Sequence, residues 1–462
     1  MLFNSQMFII GFLPVVLALY YALAAHRVAR QSLLILASLG FYGWWDPRFV
    51  PLLIGLTTTN WLLAAWFGRR RAGWMPIAGI IFNLGVLTLF KYADFLRGTI
   101  FDLADQPWEP WKLILPLGIS FFVFQKISYL IDLRRGDRHF YGFLDICLFV
   151  SFFPQLIAGP LVRHNEIIGQ FHANPRGEAM WENIGRGFVL FVTGVAKKVA
   201  LADSLAMVAD PLFAQTAPLG LGQAWIASLS YSLQIYFDFS GYSDMAIGLA
   251  LMFGLRLPMN FDAPYRSLSV RDFWRRWHMT LSRFLRDYLY IPLGGGRTGT
   301  VRQTLNVVLT MLLGGLWHGA NWTFVVWGGL HGCALAVNHL WGRHLWARTG
   351  YRLPRFAAWL LTMLFLMITW VLFRSTSFAG AAAVFASMAG WHGLAMPVLT
   401  NEAIAVIAVG CVAAVAGPTS QRFALMLARP EPWLAVPAGL VLAWLLLLTG
   451  GRLPNVFIYF QF

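Results

Sequence analysis

Two histidines, His278 and His318, are the residues whose type and surroundings best suit chemistry. An imidazole titrates near neutral pH, so it can serve as a general base, and it can also act as a nucleophile. His318 ends an almost wholly apolar stretch that begins near Thr304, and it lies in the glycine-rich string GGLWHGA. The alternative for each histidine is a structural side chain that only hydrogen-bonds its surroundings.

The depth of His318 in a membrane favours a functional role. A helix that rises about 1.5 Å per residue from Thr304 places His318 on the order of 20 Å from the cytoplasmic boundary, past the middle of a hydrocarbon core about 30 Å thick. Titratable groups at that depth are costly and mark functional sites. The sequence therefore predicts His318 near the turn of a helical hairpin, where small neighbours let a substrate or another backbone approach.

His278 lies in the most polar part of the chain, about residues 260–302. Arginines outnumber aspartates there, which predicts a cytoplasmic position. Periodicity predicts one amphipathic helix at the inner membrane interface, with His278 at the border of its two faces. Its apolar and charged faces include, respectively, Trp274 and Trp277, and Arg275 and Arg276.

A polar island interrupts the apolar stretch from Ala224 to Phe253. Its members are Gln234, Asp238, Ser240, Tyr242, Ser243 and Asp244. Carboxylates are too costly to face lipid. They can pair with an arginine, bind an ion or cap a broken helix, and capping is the simplest interpretation. The sequence leaves these three alternatives open.

Several enzyme chemistries have no support in the sequence. It contains no G-x-S-x-G elbow, no H-E-x-x-H motif and no phosphate-binding P-loop. The three cysteines lie far apart, without the spacing of a zinc site. We therefore expect neither a bound metal nor nucleotide hydrolysis.

Composition requires membrane-embedded elements to position these residues. Of 462 residues, 58% are hydrophobic and only 12% are charged, about half the charged fraction of a soluble domain. This predicts an all-α, polytopic membrane protein with roughly eleven to thirteen transmembrane helices and some short re-entrant or interfacial helices. We expect one membrane domain over residues 1–462, with no soluble domain.

The net charge of +15 does not indicate nucleic-acid binding, because the basic residues form short clusters between apolar runs. Clusters at residues 26–30, 69–71 and 134–138 fall at every second boundary between runs. The positive-inside rule places such loops in the cytoplasm. We therefore expect the N-terminus to face the periplasm or the exterior.

Eight strings, in order along nearly the whole chain, resemble those of the membrane-bound O-acyltransferase family, in the bacterial branch that modifies cell-surface polymers. They are PLGISFF (116–122), PQLIAGPLVR (154–163), KKVALAD (197–203), FDFSGYSD (237–244), WRRWH (274–278), YIPLGG (290–295), GLWHGA (315–320) and FIYFQF (457–462). Gly296 departs from the family pattern, in which a polar residue is frequent there.

The resemblance implies a basket of helices around a central tunnel that connects the two membrane faces. His318 matches the family's near-invariant histidine, and His278 matches a second important position. We expect both to be catalytic. Residues expected to line the tunnel or bind the donor are Trp317, Asn321, Trp274, Arg275, Arg276, Trp277, Asp238, Ser240, Tyr242 and Gln155.

The implied activity is acyl transfer, expected to be O-acetyl transfer, for an extracytoplasmic polysaccharide such as alginate. The donor would be cytoplasmic acetyl-CoA or an acyl carrier thioester, with no bound cofactor, and the expected partner is a periplasmic SGNH-like acetyltransferase. One alternative is transfer of D-alanyl or another acyl group from a carrier protein. The other is a polysaccharide or lipid transporter, since broken helices and intramembrane carboxylates also suit transport.

Overall fold

The computed structural model describes residues 1–297, 299–342, 349–350, 353–427, 435–449 and 456–460. Every regular element in these ranges is helical, as the sequence predicts. Residues 461–462 of the string FIYFQF lie outside them.

The helices are numbered in chain order. The first ten are α1 (Leu13–Ala22), α2 (Arg27–Gly43), α3 (Val50–Arg70), α4 (Trp74–Leu87), α5 (Ala93–Leu103), α6 (Ile119–Arg134), α7 (Phe143–Ser151), α8 (Phe153–Leu156), α9 (His164–Ile167) and α10 (Met180–Ala196). Those that follow are α11 (Asp203–Phe213), α12 (Leu221–Met252), α13 (Val270–Arg276), α14 (Met279–Leu285), α15 (Thr300–His318), α16 (Trp322–Leu340), α17 (Arg355–Arg374), α18 (Phe378–Met388), α19 (Asn401–Val415), α20 (Ser420–Leu427) and α21 (Ala435–Thr449). Short π-helical segments are Met7–Phe12, Thr88–Tyr92, Lys197–Ala202 and Arg286–Tyr290, and short 3-10 segments are Pro47–Phe49, Ile168–His172, Pro264–Arg266 and Ile458–Phe460.

Three stretches of the described chain are long and apolar enough to cross a membrane, by length and composition. They are Pro47–Arg70, Trp74–Leu103 and Arg355–Arg374. Shorter apolar helices are Met7–Ala22, Phe378–Met388, Asn401–Val415 and Val436–Leu447. The all-helical membrane character is confirmed, and the total of eleven to thirteen spans stays a prediction.

The described chain forms two compact units. The first comprises Met1–Val195, Tyr242–Pro258 and Ala424–Phe460, and the second comprises Ala196–Gly241 and Met259–Phe423. In the first unit, buried amides link α3 to α4, because Asn83 Nδ2 donates to Asn60 Oδ1 at 2.6 Å. Such pairing offsets the cost of burying polar groups.

The hairpin of α15 and α16 carries His318 in the second unit. A Cβ atom at Gly315 would lie 2.1 Å from the carbonyl oxygen of Phe324, and one at Gly328 would lie 2.1 Å from that of Met311. No side chain fits at such distances, so glycine lets the two backbones meet. The predicted hairpin is confirmed, and its small residues admit a neighbouring helix.

Helix α12 is continuous over 32 residues, and the polar island lies inside it. The interpretation of its carboxylates as caps of a broken helix is therefore wrong. Asp238 Oδ1 instead lies 2.6 Å from Lys198 Nζ, which also lies 2.9 Å from Asp203 Oδ1. Because a nearby ammonium compensates the buried carboxylate, the helix accommodates Asp238 without breaking.

The segment around His278 is two short helices, so the prediction of one amphipathic helix is wrong. Helix α13 ends at Arg276 and α14 begins at Met279. His278 between them is left-handed, with φ of 43°, and a residue with a Cβ in that conformation interrupts a right-handed helix. The border position predicted for His278 is also wrong: the break turns its side chain inward, where it is fully buried.

Candidate active site

His318 is the last residue of α15, and its side chain is buried. Gly319 follows in an extended conformation. Asn321 then caps α16, because its Oδ1 accepts a hydrogen bond from the backbone N–H of Thr323 at 2.9 Å. The Asn321 Nδ2 donates to the carbonyl of Thr376 at 2.8 Å. Asn321 therefore has a structural role, and its place in a tunnel or donor site stays a prediction.

Aromatic rings enclose the imidazole of His318. The ring of Trp317 lies 5.0 Å from it between centroids, and those of Trp327 and Phe373 each lie 5.3 Å away. Trp327 and Phe373 meet the imidazole edge-on. Such apolar walls exclude water and strengthen electrostatic interactions with any charge that forms there.

Asn260 holds His278 in its unusual backbone conformation. The Asn260 carbonyl accepts from the backbone N–H of Met279 at 3.0 Å. Its side-chain Oδ1 accepts from both the backbone N–H and the hydroxyl of Thr280, at 3.3 and 2.9 Å. The same Oδ1 lies 3.1 Å from His278 Nδ1. These contacts offset the cost of a left-handed residue, which is about 1–2 kcal/mol.

The contacts of Asn260 also determine the tautomer of His278. Because the backbone N–H of Thr280 can only donate, the atom facing it is the amide oxygen, and His278 Nδ1 must donate its proton to that oxygen. The lone pair of the neutral imidazole is then on Nε2. Burial lowers the pKa of His278 to about 3, so the resting side chain is neutral.

The structure brings His278 and His318 together, although they are forty residues apart in sequence. Their ring centroids lie 6.4 Å apart, and Trp317 lies 5.8 Å from His278. Phe239 of α12 covers another side of His278, edge-on at 4.7 Å. Two adjacent imidazoles in an apolar enclosure can handle both a proton and an acyl group.

The other candidates of the WRRWH string have different surroundings. Trp277 is fully buried among aromatic rings, whereas Arg275 is exposed. Arg276 pairs with Asp272 at 2.9 Å, so much of its charge is already compensated. Trp274 lines a cavity of about 170 Å³ between the α13–α14 segment and the α15–α16 hairpin.

Asp238 and Ser240 lie on either side of Phe239 in α12. Asp238 pairs with Lys198, and Ser240 Oγ lies 3.3 Å from the Nζ of Lys197. Since Phe239 contacts His278, these polar contacts anchor the part of α12 that packs against the histidine. The Phe239 ring therefore lies between these polar contacts and His278.

Gln155 and Tyr242 belong to the first unit, whereas His278 and His318 belong to the second. Gln155 Nε2 donates to the carbonyl of Phe149 at 2.6 Å. Tyr242 is buried and stacks on Phe3, with 4.9 Å between centroids. Their predicted tunnel or donor roles stay predictions.

Sequence reasoning missed three residues that shape this site: Asn260, Trp327 and Phe373. Asn260 has one signal in the sequence, because it is a polar residue directly after the short apolar string LPM (257–259). Trp327 and Phe373 have none, since periodicity does not tell which of many aromatic residues meets a given histidine.

Comparison with known proteins agrees with the resemblance seen in the sequence. Residues 111–379 match the membrane-bound O-acyltransferase family. The chain is 42% identical over 438 residues to a peptidoglycan O-acetyltransferase of Helicobacter pylori, covering 87% of this chain and 82% of the relative. It is 44% identical over 399 residues to a probable alginate O-acetylase of Pseudomonas aeruginosa, covering 84% and 75%.

A more distant relative is a teichoic acid D-alanyltransferase of Streptococcus thermophilus, 28% identical over 242 residues, or 49% of this chain and 57% of the relative. The family match includes His278, His318 and the aromatic enclosure around them. This chain therefore belongs to the membrane-bound O-acyltransferase family, and it is a multi-pass membrane acyltransferase.

Proposed function

We propose that this protein transfers an acetyl group from cytoplasmic acetyl-CoA for the O-acetylation of an extracytoplasmic polysaccharide such as alginate. The observation that carries the proposal is the adjacent pair His278 and His318, 6.4 Å apart in a buried aromatic enclosure. The relatives named for O-acetylation of peptidoglycan and alginate support acetyl as the group transferred.

The reaction exchanges a thioester for an oxygen ester. The donor's carbon–sulfur bond breaks, a carbon–oxygen bond forms at the acceptor hydroxyl, and the hydroxyl proton passes through a histidine to the leaving thiolate. His318 either removes this proton as a general base or first takes the acetyl group on its own nitrogen. His278 is neutral at rest, and negative charge that develops beside it favours its protonated form.

The arginines of the 260–302 segment suit a donor that carries phosphates. A guanidinium can bind a phosphate through two parallel hydrogen bonds. Arg275 is exposed, whereas Arg276 is engaged with Asp272, so Arg275 is the better of the two for this task. The cavity beside Trp274 is lined mainly by apolar side chains and suits the uncharged arm that carries the thioester.

The charge pattern and the bacterial relatives support a position in the bacterial inner membrane. Because Lys/Arg-rich loops favour the cytoplasmic side, the arginine-rich segment would face the cytoplasm and the N-terminus the periplasm. Acetyl groups that leave on the outer face then need an acceptor system there. A periplasmic SGNH-like acetyltransferase is the partner that fits this requirement.

Purified protein in nanodiscs with radiolabelled acetyl-CoA tests the proposal, together with O-acetyl content of the polymer in cells. His318→Ala should abolish both thioester turnover and polymer acetylation while keeping the elution volume of the folded protein. His26→Ala, at an exposed position at the start of α2, should retain both. Full acetylation by His318→Ala would remove this histidine from the mechanism.

The donor alternative is a charged acyl or D-alanyl carrier protein, which the D-alanyltransferase relative keeps open. Turnover with the carrier and none with acetyl-CoA would replace the donor but keep the histidine pair. Flux of a polysaccharide or lipid without any acyl transfer would instead favour the transporter.

A further inference from the structure

His331 of α16 is a third fully buried histidine of the second unit, and the mechanism above does not use it. Its ring lies 4.7 Å from that of Trp327, which in turn lies 5.3 Å from His318. One indole therefore separates His331 from the reacting histidine. Its role is decided by what its two ring nitrogens bind.

Both nitrogens of His331 have partners, and the directions of the hydrogen bonds follow from chemistry alone. Trp274 Nε1 lies 3.2 Å from His331 Nδ1, and an indole nitrogen can only donate. The Nδ1 atom must therefore be the acceptor, so the proton of the neutral ring is on Nε2. That nitrogen lies 3.2 Å from Thr369 Oγ1.

The hydroxyl of Thr369 completes this series of hydrogen bonds. Its single proton is donated to the carbonyl of Leu366 at 3.0 Å, so its oxygen accepts from His331 Nε2. The order Trp274 to His331 to Thr369 to Leu366 is thus fixed in one direction. His331 has no remaining lone pair with which to take a proton or an acyl group unless the bond from Trp274 breaks.

The Trp274 indole, which is held by this series of hydrogen bonds, lines the 170 Å³ cavity described above. Leu285, Met311 and Leu335 line the same cavity, and the Trp274 ring also meets that of Trp327, with 5.9 Å between centroids. Rotation of Trp274 would therefore change both the cavity wall and the packing of the indole beside His318.

We infer that His331 is a positioning residue: it fixes the Trp274 indole as a wall of the cavity that receives the thioester arm, and takes no part in bond making. This inference rests on the proposed function for the identity of the donor. It differs from that proposal in assigning His331 a role that needs hydrogen bonding but no titration or nucleophilicity.

Glutamine separates the two kinds of role, because its amide can accept from Trp274 and donate to Thr369 but cannot act as a base or nucleophile. His331→Ala should raise the KM for acetyl-CoA about tenfold, with kcat changed by less than about threefold, because two hydrogen bonds that orient the wall are lost. His331→Gln should restore KM to within about threefold of the native value.

Thr369→Val and Thr369→Ser extend the test without removing the imidazole. The valine variant should raise KM in the same direction as His331→Ala, and the serine variant, which keeps the hydroxyl, should not. These two variants decide the question if His331→Ala fails to fold. If folded His331→Gln loses turnover as completely as His318→Ala does, His331 is itself a reacting group and the inference is wrong. The inference is also overturned if folded His331→Ala and folded Thr369→Val both keep the native KM.

A measurement without turnover keeps the inference apart from the proposed function. Ultraviolet resonance Raman spectra report hydrogen bonding of the indole N–H. The difference spectrum between the native protein and His331→Ala should therefore show a band from the loss of one such bond. Native minus Trp274→Phe should show the same band. If the band is absent from both difference spectra, the hydrogen bond between Trp274 and His331 is refuted. If the band is present but the native protein is inactive with acetyl-CoA, only the proposed donor is refuted.

Discussion

Asn260 is the residue whose replacement most directly tests how His278 works. Asn260→Ala removes the acceptor of the His278 Nδ1 proton and of two donors on Thr280. A hydrogen bond between neutral groups contributes about 1 kcal/mol, and one from a charged donor about 2 kcal/mol. If His278 gains positive charge in the transition state, the difference of about 1 kcal/mol appears in kcat.

This difference predicts a fall in kcat of about five- to tenfold for Asn260→Ala. The three hydrogen bonds lost from the resting protein, one to His278 and two to Thr280, also predict a loss of about 3 kcal/mol in stability. Initial rates of thioester cleavage per mole of folded protein, in nanodiscs at saturating acetyl-CoA, measure the first effect. Thermal unfolding followed by fluorescence-detected size exclusion measures the second.

The matched control is Asn83→Ala, another fully buried asparagine whose amide makes hydrogen bonds within the first unit. It should lose similar stability and leave kcat unchanged. A folded Asn260→Ala protein with native kcat would refute the view that His278 acquires charge against Asn260. Equal losses of kcat in both variants would show a general effect of instability.

Asn260→Asp adds a pH test. A carboxylate beside His278 raises its pKa from about 3 by about 1–3 units, because opposite charges favour the protonated imidazole. A larger fraction of His278 is then protonated as pH falls, so activity should decline on the acidic side at a higher pH than in the native protein. Rates between pH 4 and 8 measure the shift, and coincident profiles over that whole range would contradict it.

Two further predictions concern the framework. Gly315→Ala should reduce the yield of folded protein and its activity, since the new Cβ would lie 2.1 Å from the Phe324 carbonyl and such overpacking costs about 1–3 kcal/mol or more. The control is Gly55→Ala, because nothing lies within 4 Å of a Cβ at that position. Equal melting temperatures of the two variants would contradict the close packing. Lys198→Met should destabilise the protein by about 3–5 kcal/mol, because it leaves Asp238 buried without its cation. The double variant Lys198→Met with Asp238→Leu should recover part of that stability, as measured by melting temperature. No recovery in the double variant would show that loss of the ion pair does not cause the destabilisation.

The sequence by itself determined the class of the protein and its first catalytic candidate. Bilayer length and the cost of charge in hydrocarbon act on each segment locally, so apolar runs and arginine clusters were enough to predict a helical membrane protein. The same local cost singled out His318, and the small residues around it predicted the hairpin that α15 and α16 form.

Tertiary structure decided what surrounds each polar group, because its partners come from distant parts of the chain. The carboxylate of Asp238 suggested a helix break until Lys198 was found 2.6 Å away, and the period of the 260–302 segment suggested one helix until Asn260 was found to hold His278 left-handed. Likewise, only the fold shows that His331 is bound at both nitrogens. Local sequence gives the energetic cost of burying a group, whereas three-dimensional contacts decide how that cost is compensated.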